Sequence, residues 1–362
     1  MTKRVYNFNP GPATLPLSIL EKAQAELLNY NNTGMSVMEI SHRSKEFEAI
    51  VSEAENRLKS LLQLNDDYRV LFLQGGATTQ FSMIPMNYLK QGTQANYIVT
   101  GSFADKACKE AAFIGETHVA ASSKDANHSY IPELTSLNLS DNPAYVHITS
   151  NNTIYGTQFK EFPEINNVPL IADMSSDLLC KPFDANKFAL IYAGAQKNLG
   201  PSGVTIVIIR KDLIEASNKD LPSMLRYDIM AENNSLYNTP PSFSIYMVNL
   251  MLEWVIEQGG LIAMEKHNDE KASYIYQAID SSSGFYKGHS QPEFRSTMNV
   301  TFTIANSELE SKFIAEAAGK GLIGVKGHRS VGGMRTSIYN AMPKEGCLAL
   351  AEFMAEFQKN NQ

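Results

Sequence analysis

Two stretches near the start of the chain carry apolar residues at the spacing of amphipathic helices. In residues 16–30 leucine and alanine recur every three or four positions, and residues 44–62 repeat the pattern. This spacing matches the 3.6-residue period of an α-helix. Both stretches are therefore predicted to be helices with one buried face.

Beyond these helices, short apolar runs alternate with helix-like segments. The runs typical of strands lie at 68–74, 96–103, 117–121, 144–150, 169–175, 188–194 and 203–210. Repeated alternation of strands and helices favours a mostly parallel sheet with helices on both faces. We therefore predict an α/β fold whose central element is a seven-stranded or similar sheet.

The pattern changes after a long helix that contains Trp254 and ends near Gly259 and Gly260. Glycine commonly terminates helices because it adopts the left-handed backbone conformation. The remaining segments alternate between helix-like and strand-like patterns, beginning with a helix-like segment at residues 271–280, and predict a smaller α+β module. We place a large domain at residues 16–259 and a small domain at residues 1–15 and 260–362.

Composition excludes several classes of protein. The chain has 362 residues, of which 31 are Lys or Arg and 38 are Asp or Glu, and no basic run interrupts its net charge of -7. Nucleic-acid binding is therefore not expected. The three cysteines are far apart, which argues against a zinc or other metal site and against a disulfide framework. No apolar run is long enough for a membrane span and no secretion signal is visible, so we expect a cytoplasmic protein.

A glycine motif at residues 319–324 matches the G-x-G-x-x-G spacing of dinucleotide-binding loops. Such a loop follows a strand and opens a helix, because the helix N-terminus must face the pyrophosphate. Here a helical pattern precedes the motif and a strand-like run follows it. We predict that Gly319 ends a helix and that the motif binds no dinucleotide.

A second glycine-rich loop, Gln74–Gln80, follows the strand predicted at 68–74 and enters an apolar helix. Free backbone N–H groups and threonine hydroxyls at a helix N-terminus form an anion site. The alternative is a tight turn in which a threonine only caps the helix.

Two charged residues follow other strands of the predicted sheet. Asp173 ends the apolar run at 169–175, and Lys197 lies among small residues after the run at 188–194. Each has an ordinary explanation, a turn residue and a solvated surface lysine. Together with a phosphate loop, however, a lysine and a carboxylate are what pyridoxal 5'-phosphate chemistry requires: an amine that bonds to the cofactor and an acid that keeps its ring nitrogen protonated.

Arginine and histidine residues form two further groups. His42 and Arg43 open the second helix, and His328, Arg329 and Arg335 lie in the most basic stretch of the C-terminal module. In an acidic protein such pairs suggest a substrate with more than one anionic group, although single surface cations would be unremarkable.

At these residues the sequence resembles the phosphoserine aminotransferase family, which is assigned to the class-V, fold-type-I enzymes that depend on pyridoxal phosphate. The resemblance runs from about residue 6 to the C-terminus and is carried by FNPGPATLP, SVMEISHRSKEF, VLFLQGGATTQF, IADMSSD, IYAGAQKNLGPSGVTIVIIR, YNTPPSF and KGHRSVGGMRTSIYNAMP. It implies a homodimer with shared active sites. It also implies amino-group exchange between phosphoserine and 2-oxoglutarate, giving glutamate, and action on 4-phosphohydroxythreonine in pyridoxine synthesis.

The resemblance also implies a role for each site residue. Lys197 matches the Schiff-base lysine, Asp173 the partner of the ring nitrogen and Thr153 a residue near the cofactor 3′-oxygen. Phosphate contacts are implied for Ala77, Thr78 and Gln196 and, from the neighbouring subunit, for Asn238 and Thr239. Arg335 matches the clamp for the substrate α-carboxylate, and the site for the phosphate or side-chain carboxylate is implied for His42, Arg43, His328 and Arg329.

Two positions depart from the family pattern. Phe103 stands where the family commonly stacks a tryptophan on the cofactor, and Thr78 stands where some members carry arginine. Phenylalanine can still stack, with less area and no indole N–H. Two other functions remain open from the sequence: another fold-type-I transaminase, such as an alanine–glyoxylate type, and a non-catalytic protein that binds a phosphorylated ligand.

Overall fold

The computed structural model describes residues 4–362 of the chain. Its helices are α1 (Leu17–Glu26), α2 (Lys45–Leu61), α3 (Gly76–Tyr88), α4 (Ser102–Ala111), α5 (Lys211–Glu215), α6 (Tyr227–Glu232), α7 (Ser242–Glu257), α8 (Gly260–Asp280), α9 (Glu310–Gly319) and α10 (Lys344–Asn361). Its strands are β1 (Tyr6–Asn7), β2 (Tyr68–Leu73), β3 (Gln94–Val99), β4 (Thr117–Ser122), β5 (Pro143–Thr149), β6 (Asn151–Asn152), β7 (Thr157–Gln158), β8 (Leu170–Asp173), β9 (Leu190–Gly194), β10 (Thr205–Arg210), β11 (Tyr286–Gly288), β12 (Asn299–Ile304), β13 (Leu322–Ile323) and β14 (Met334–Ser337).

The central sheet has seven strands in the order β2-β10-β9-β8-β5-β3-β4. Strand β10 is antiparallel to both of its neighbours, and the pairs from β9 to β4 are parallel. The predicted mostly parallel, seven-stranded α/β sheet is therefore confirmed. Its parallel strands end at one edge, where ligands bind in open sheets of this kind.

Helices cover both faces of this sheet. One apolar cluster joins it to side chains of α2 and α7, and a second joins it to side chains of α3 and α4. All residues of β8 and β9 are buried. Burial on both faces explains why these strands are continuous apolar runs rather than alternating patterns.

The C-terminal part of the chain has its own antiparallel sheet, in the order β11-β12-β14, and its own apolar cluster. That cluster includes Phe8, and β1 pairs in parallel with β13, so the N-terminal segment packs with the C-terminal elements. These contacts support the division into a domain of residues 16–259 and a domain of residues 1–15 and 260–362, which stays a prediction.

Three segments refine the sequence-based expectations. Helix α4 begins at Ser102, so Phe103 lies in a first helical turn and not at the end of a strand. Helix α8 begins at Gly260, well before the helical pattern recognised from residue 271. Helix α9 ends at Gly319 and strand β13 follows, which is the reverse of a dinucleotide-binding loop, as predicted.

Neither a membrane-spanning helix nor a metal-binding cluster is found in the part of the chain described. Among residues 4–362, no helix is long and apolar enough to cross a membrane. The same residues contain no group of three or more His, Cys, Asp or Glu side chains arranged to hold a metal ion.

Candidate active site

Lys197 lies at the edge of the sheet where the parallel strands end, three residues beyond β9. Its Nζ donates a hydrogen bond to Thr153 Oγ1 at 2.8 Å. Burial lowers the pKa of Lys197 to about 8, with the charge of Asp173 opposing this effect and that of Arg335 adding to it. An amine with this pKa is partly unprotonated near neutral pH, as a nucleophile or proton carrier must be.

Asp173 is the last residue of β8 and is 4% exposed. Its Oδ1 accepts a hydrogen bond from Ser175 N at 2.9 Å. Burial raises the pKa of this carboxyl group, and the nearby Lys197 charge opposes the change. A buried carboxylate is stable as an anion only beside a positive group, so Asp173 is suited to hold a proton on a bound cationic ring.

Phe103 provides an aromatic surface at this edge. Lys197 Nζ lies 4.9 Å from the centroid of its ring. The residue lies in the first turn of α4, which packs against β3 and α3. The ring is therefore placed to cover a planar group attached at Lys197, as the resemblance implies.

The N-terminus of α3 is the place where the sequence predicts an anion site. Gly75 has φ +94°, and a Cβ there would lie 2.0 Å from Thr79 Oγ1, so the turn requires glycine. Thr79 Oγ1 donates to Gly75 O at 3.0 Å, so this hydroxyl also fixes the turn. The N–H groups of Gly76, Ala77 and Thr78 lie in the first helical turn, where no preceding helical carbonyl is available. Within residues 4–362 these N–H groups remain available to an anion, and phosphate binding here stays a prediction.

Gln196 and the N-terminal segment form one wall of the site. Ala13 N donates to Gln196 O at 3.0 Å. A Cβ at Gly11 would lie 3.2 Å from Lys197 Cγ, so a glycine there lets the segment approach the lysine stem. The FNPGPATLP motif therefore packs directly on the Lys197 loop.

Asn238 and Thr239 lie near the start of α3 of their own chain. Gln74 Nε2 donates to Thr239 O at 3.5 Å. Asn238 lines, with Gly75 and Thr79, a cavity of about 220 Å³. The contact of these two residues with a neighbouring subunit's cofactor stays a prediction.

Arg335 lies in β14 and is 7% exposed. Within residues 4–362 its buried Nε has no hydrogen-bond partner, and no carboxylate lies within ion-pair distance of the guanidinium. Burial lowers the pKa of Arg335, and its charge reaches Lys197. A buried, unpaired guanidinium is destabilising unless an anion binds it, so this arrangement indicates a carboxylate site beside the lysine.

His328 lies in the loop before β14, near further cations. Ser330 N donates to His328 Nδ1 at 3.2 Å, so the neutral ring carries its proton on Nε2. Burial lowers the pKa of His328, and the charges of Arg335, Arg329 and Lys106 lower it further. The loop thus presents an N–H donor and several positive charges to an anion.

His42 and Arg43 precede α2, whose first turn is capped by Ser44. His42 Nε2 is buried and has no hydrogen-bond partner in the described part of the chain. Arg43 is exposed, and its N donates to Ser41 Oγ at 3.3 Å. No contact found for residues 4–362 joins this pair to Lys197 or Arg335, so their role in substrate binding stays a prediction.

Comparisons with known proteins agree with this geometry. The model of the family described as aminotransferase class-V matches residues 5–350. The chain belongs to the class-V aminotransferase family. It is 59% identical over 360 residues to phosphoserine aminotransferase from Niallia circulans, covering 99% of both chains.

Two solved structures extend the likeness to three dimensions. Phosphoserine aminotransferase from Bacillus circulans subsp. alkalophilus is 58% identical, with a TM-score of 0.98 and 99% of both chains covered. A PLP-bound phosphoserine aminotransferase from Trichomonas vaginalis is 40% identical, with a TM-score of 0.92, covering 97% of this chain and 100% of that one. The predicted family and fold are thereby confirmed.

The residues of this class-V aminotransferase fit a pyridoxal phosphate group. Lys197, Asp173 and Phe103 supply an amine, a buried acid and an aromatic surface, and the free N–H groups of α3 supply a phosphate site. The guanidinium of Arg335 has an unpartnered buried nitrogen where a substrate carboxylate would complete the pairing.

The structure adds residues that the sequence did not reveal. Asp177 accepts hydrogen bonds from Ser150 Oγ and, at 3.1 Å, from Gln158 Nε2, while burial raises its pKa to about 6 and its charge acts on Lys197. Lys106 Nζ lies 5.5 Å from the Phe103 ring centroid. The only sequence signal for Lys106 was its position one helical turn after Phe103, on the same helix face.

Proposed function

We propose that this class-V aminotransferase transfers the amino group between O-phospho-L-serine and 2-oxoglutarate, with pyridoxal 5'-phosphate as its cofactor. The products are 3-phosphohydroxypyruvate and L-glutamate. The observation that carries amino-acid transamination is the buried Arg335, which has no ion pair within residues 4–362 and whose charge reaches Lys197. The relatives named phosphoserine aminotransferase support the choice of substrate.

When bound, the cofactor supplies an aldehyde that accepts the amino group and a ring that withdraws electrons from the substrate carbon. Lys197 would supply the amine that holds this group and would move a proton at the substrate carbon. A lysine with a pKa of about 8 suits this task, because it is both protonated and unprotonated in appreciable fractions near neutral pH.

Asp173 keeps a proton on the ring nitrogen. The interaction of opposite charges about 4 Å apart, at an effective dielectric of about 20, contributes roughly 4 kcal/mol. Phe103 would cover one face of the ring and exclude water from it. The N–H groups at the start of α3 would hold the phosphate, so Thr78 would contribute its backbone where some relatives offer an arginine side chain.

The cations divide the recognition of substrate between two anionic groups. Arg335 binds the α-carboxylate that all amino-acid substrates share. His328 and Arg329 bind the distal group, which is a phosphate in phosphoserine and a carboxylate in glutamate. One set of donors therefore serves both half-reactions, and 4-phospho-hydroxy-L-threonine, which also carries a distal phosphate, is proposed as a further substrate in pyridoxine synthesis.

We further propose a homodimer in which His42, Arg43, Asn238 and Thr239 complete the partner's site. Exposed large side chains lie close to these residues in sequence: Met35 is 45% exposed, Met38 56% and Tyr237 42%. Apolar side chains beside polar site residues are typical of an interface between copies of a chain. A cytoplasmic role in serine synthesis stays a prediction.

The direct test is to incubate purified enzyme with 3-phosphohydroxypyruvate and glutamate and to measure phosphoserine formation. Absence of product would refute the proposed substrates. An alanine–glyoxylate type of transaminase needs no distal anion site, so replacing His328 and Arg329 by alanine would scarcely raise the KM of its substrates. A large rise in KM that is specific to phosphorylated substrate would decide against this alternative.

The binding-only alternative is tested by borohydride reduction followed by peptide mapping. A reduced pyridoxyl group on Lys197 supports the enzyme. Binding of phosphorylated ligand that persists in Lys197→Ala without cofactor would support the alternative.

A further inference from the structure

Four polar side chains form a continuous buried group between the central sheet and the C-terminal elements. They are Asn198, Asn268, Lys271 and Asn340, which we call the interdomain polar network. None is more than 2% exposed, and Lys271 and Asn340 are fully buried. Apolar residues would fill such a space without any polar group to desolvate, so the directional bonds of this network require an explanation.

One side of the network holds the loops that follow Lys197 and Arg335. Asn198 is the next residue after Lys197, and its Oδ1 accepts a hydrogen bond from Asn340 N at 2.9 Å. Asn198 Nδ2 donates to Leu178 O at 2.7 Å. The backbone five residues beyond Arg335 is therefore bonded directly to the side chain adjacent to the active-site lysine.

Asn340 extends the contact to the loop after β8. Its Nδ2 donates to Leu179 O at 2.9 Å. Its Oδ1 accepts from Asn268 Nδ2 at 2.8 Å, and the same Asn268 nitrogen lies 2.9 Å from Cys180 O. Three carbonyls at 178–180, in the loop that follows Asp173, are thus fixed by side-chain amides.

Helix α8 supports the group from the other side. Lys271 lies one turn after Asn268, and its Nζ donates to Ile338 O at 2.9 Å and to Tyr339 O at 2.7 Å. Among residues 4–362 no carboxylate pairs with this amine. Two carbonyls immediately beyond β14 are therefore held by a lysine that, within the described part of the chain, donates only to backbone groups.

We propose that the interdomain polar network consists of positioning residues that fix the distance and orientation of Arg335 relative to Lys197. Apolar surfaces can slide over one another, whereas a chain of hydrogen bonds with defined donors and acceptors permits one arrangement. The α-carboxylate bound by Arg335 then places the substrate nitrogen at the cofactor. Misplacement by about 1 Å can reduce a rate by roughly 100-fold. The proposal rests on the function proposed above.

The test compares network variants with an equally buried asparagine outside the network. Asn268→Leu removes the central donor, and Asn340→Leu removes the side-chain bonds to Leu179 O and from Asn268 while keeping the backbone bond from Asn340 N to Asn198. Asn96→Leu is the control, because Asn96 is fully buried and bonds to Gln94 O and Ser140 but lies on β3 away from Lys197 and Arg335. The measurements are KM and kcat for phosphoserine and for glutamate, the Kd of pyridoxal phosphate, and the thermal midpoint.

We expect Asn268→Leu and Asn340→Leu each to raise KM for both amino donors about tenfold, while the Kd of the cofactor changes less than twofold. The control should lower the thermal midpoint and leave KM unchanged. The proposal is overturned if the network variants match the control, with reduced stability and unchanged KM.

A separate measurement distinguishes failure of this proposal from failure of the proposed function. Glutarate, a dicarboxylate that cannot be transaminated, is titrated into the cofactor-loaded proteins by calorimetry. If the parent enzyme does not act on phosphoserine, the substrate assignment fails, but weaker glutarate binding in Asn268→Leu than in Asn96→Leu still supports the positioning role. Equal glutarate affinity in both variants refutes it.

Discussion

Lys271 is a buried lysine that has no acidic partner among residues 4–362, and its replacement by methionine should change how stability depends on pH. Burial lowers the pKa of its amine from 10.5 to about 7. The unfolded chain therefore binds more protons than the folded chain between pH 7 and 10.5, and the free energy of unfolding rises with pH in this window. Below pH 7 the amine is charged in both states, so the destabilisation is greatest there.

The magnitude follows from the two pKa values. A lowering from 10.5 to about 7 corresponds to about 5 kcal/mol at low pH. Integrated between pH 6 and pH 9, the lysine contribution to the unfolding free energy becomes more favourable by about 3 kcal/mol. For a chain of this length, 3 kcal/mol corresponds to a change of about 4 °C in Tm.

The assay is thermal unfolding of parent and Lys271→Met proteins at matched concentration from pH 6 to pH 9. Only the difference in unfolding free energy between the two proteins is used. Lys197 also has a lowered pKa and makes the unfolding free energy rise with pH in both proteins, so the difference removes its effect. Measurements stop at pH 9, because burial raises the pKa values of Cys180 and Cys347, so ionisation of these thiols in the unfolded chain increasingly lowers stability as the pH passes their ordinary pKa. Both proteins share this contribution, so the difference between them removes it. Lys266→Met, an exposed position on α8, is the control.

The variant also leaves the carbonyls of Ile338 and Tyr339 without their donor, which lowers stability equally at every pH. We therefore expect the unfolding free energy of Lys271→Met to show two effects relative to the parent: a loss that is the same at every pH, and a gain that grows as the pH falls. Relative to the parent, Lys271→Met should be more stable at pH 6 than at pH 9 by about 3 kcal/mol. A difference that is flat across this range would show that Lys271 is not a buried, readily deprotonated amine.

Further predictions concern the active site. Asp173→Asn should reduce kcat by at least about 100-fold, yet raise the Tm of the cofactor-free protein because a buried carboxylate is removed; a lowered Tm would contradict this. Lys106→Met should raise KM for phosphoserine about threefold at low salt, whereas Lys109→Met on the same helix should not; equal effects would exclude a local role. Gly333→Ala should reduce stability by about 2–4 kcal/mol, because its φ is +60° and a Cβ would lie 2.4 Å from Phe302 O; an unchanged melting curve would refute this.

The elements that the sequence predicted well are those whose environment is uniform along their length. Strands β8 and β9 are buried on both faces, so each is an uninterrupted apolar run. Helix α2 has one buried stripe, at Phe47, Ile50, Val51, Ala54 and Leu58, which is a regular helical spacing. In both cases the local pattern and the tertiary environment agree, so periodicity alone is sufficient.

The candidate site was partly predictable for a related reason. Lys197 and Asp173 each follow an apolar run, and parallel strands end at the same sheet edge, so their proximity follows from topology. Lys106 could not be found in this way, because an exposed lysine on an amphipathic helix is ordinary. The charge of Lys106 matters because it lies near His328, whose pKa it lowers. The His328 loop comes from a part of the chain more than 200 residues away, so the sequence does not show this proximity.

Helix α8 shows why the sequence-based prediction missed the start of a helix. Its buried face runs through Leu261, Met264, Asn268, Lys271 and Ile275, which is a regular helical spacing. Because two of these five positions are polar, the apolar pattern breaks, and the sequence indicated a helix only from residue 271 onward. A leucine and a methionine at these two positions would complete the apolar stripe, but the bonds to Cys180, Asn340, Ile338 and Tyr339 would be lost. The irregularity that misled the sequence-based prediction is therefore the same feature that joins the loop after Asp173 to the strand of Arg335. A departure from the local pattern that is buried and hydrogen-bonded in this way is better explained by the geometry of the site than by the stability of the helix.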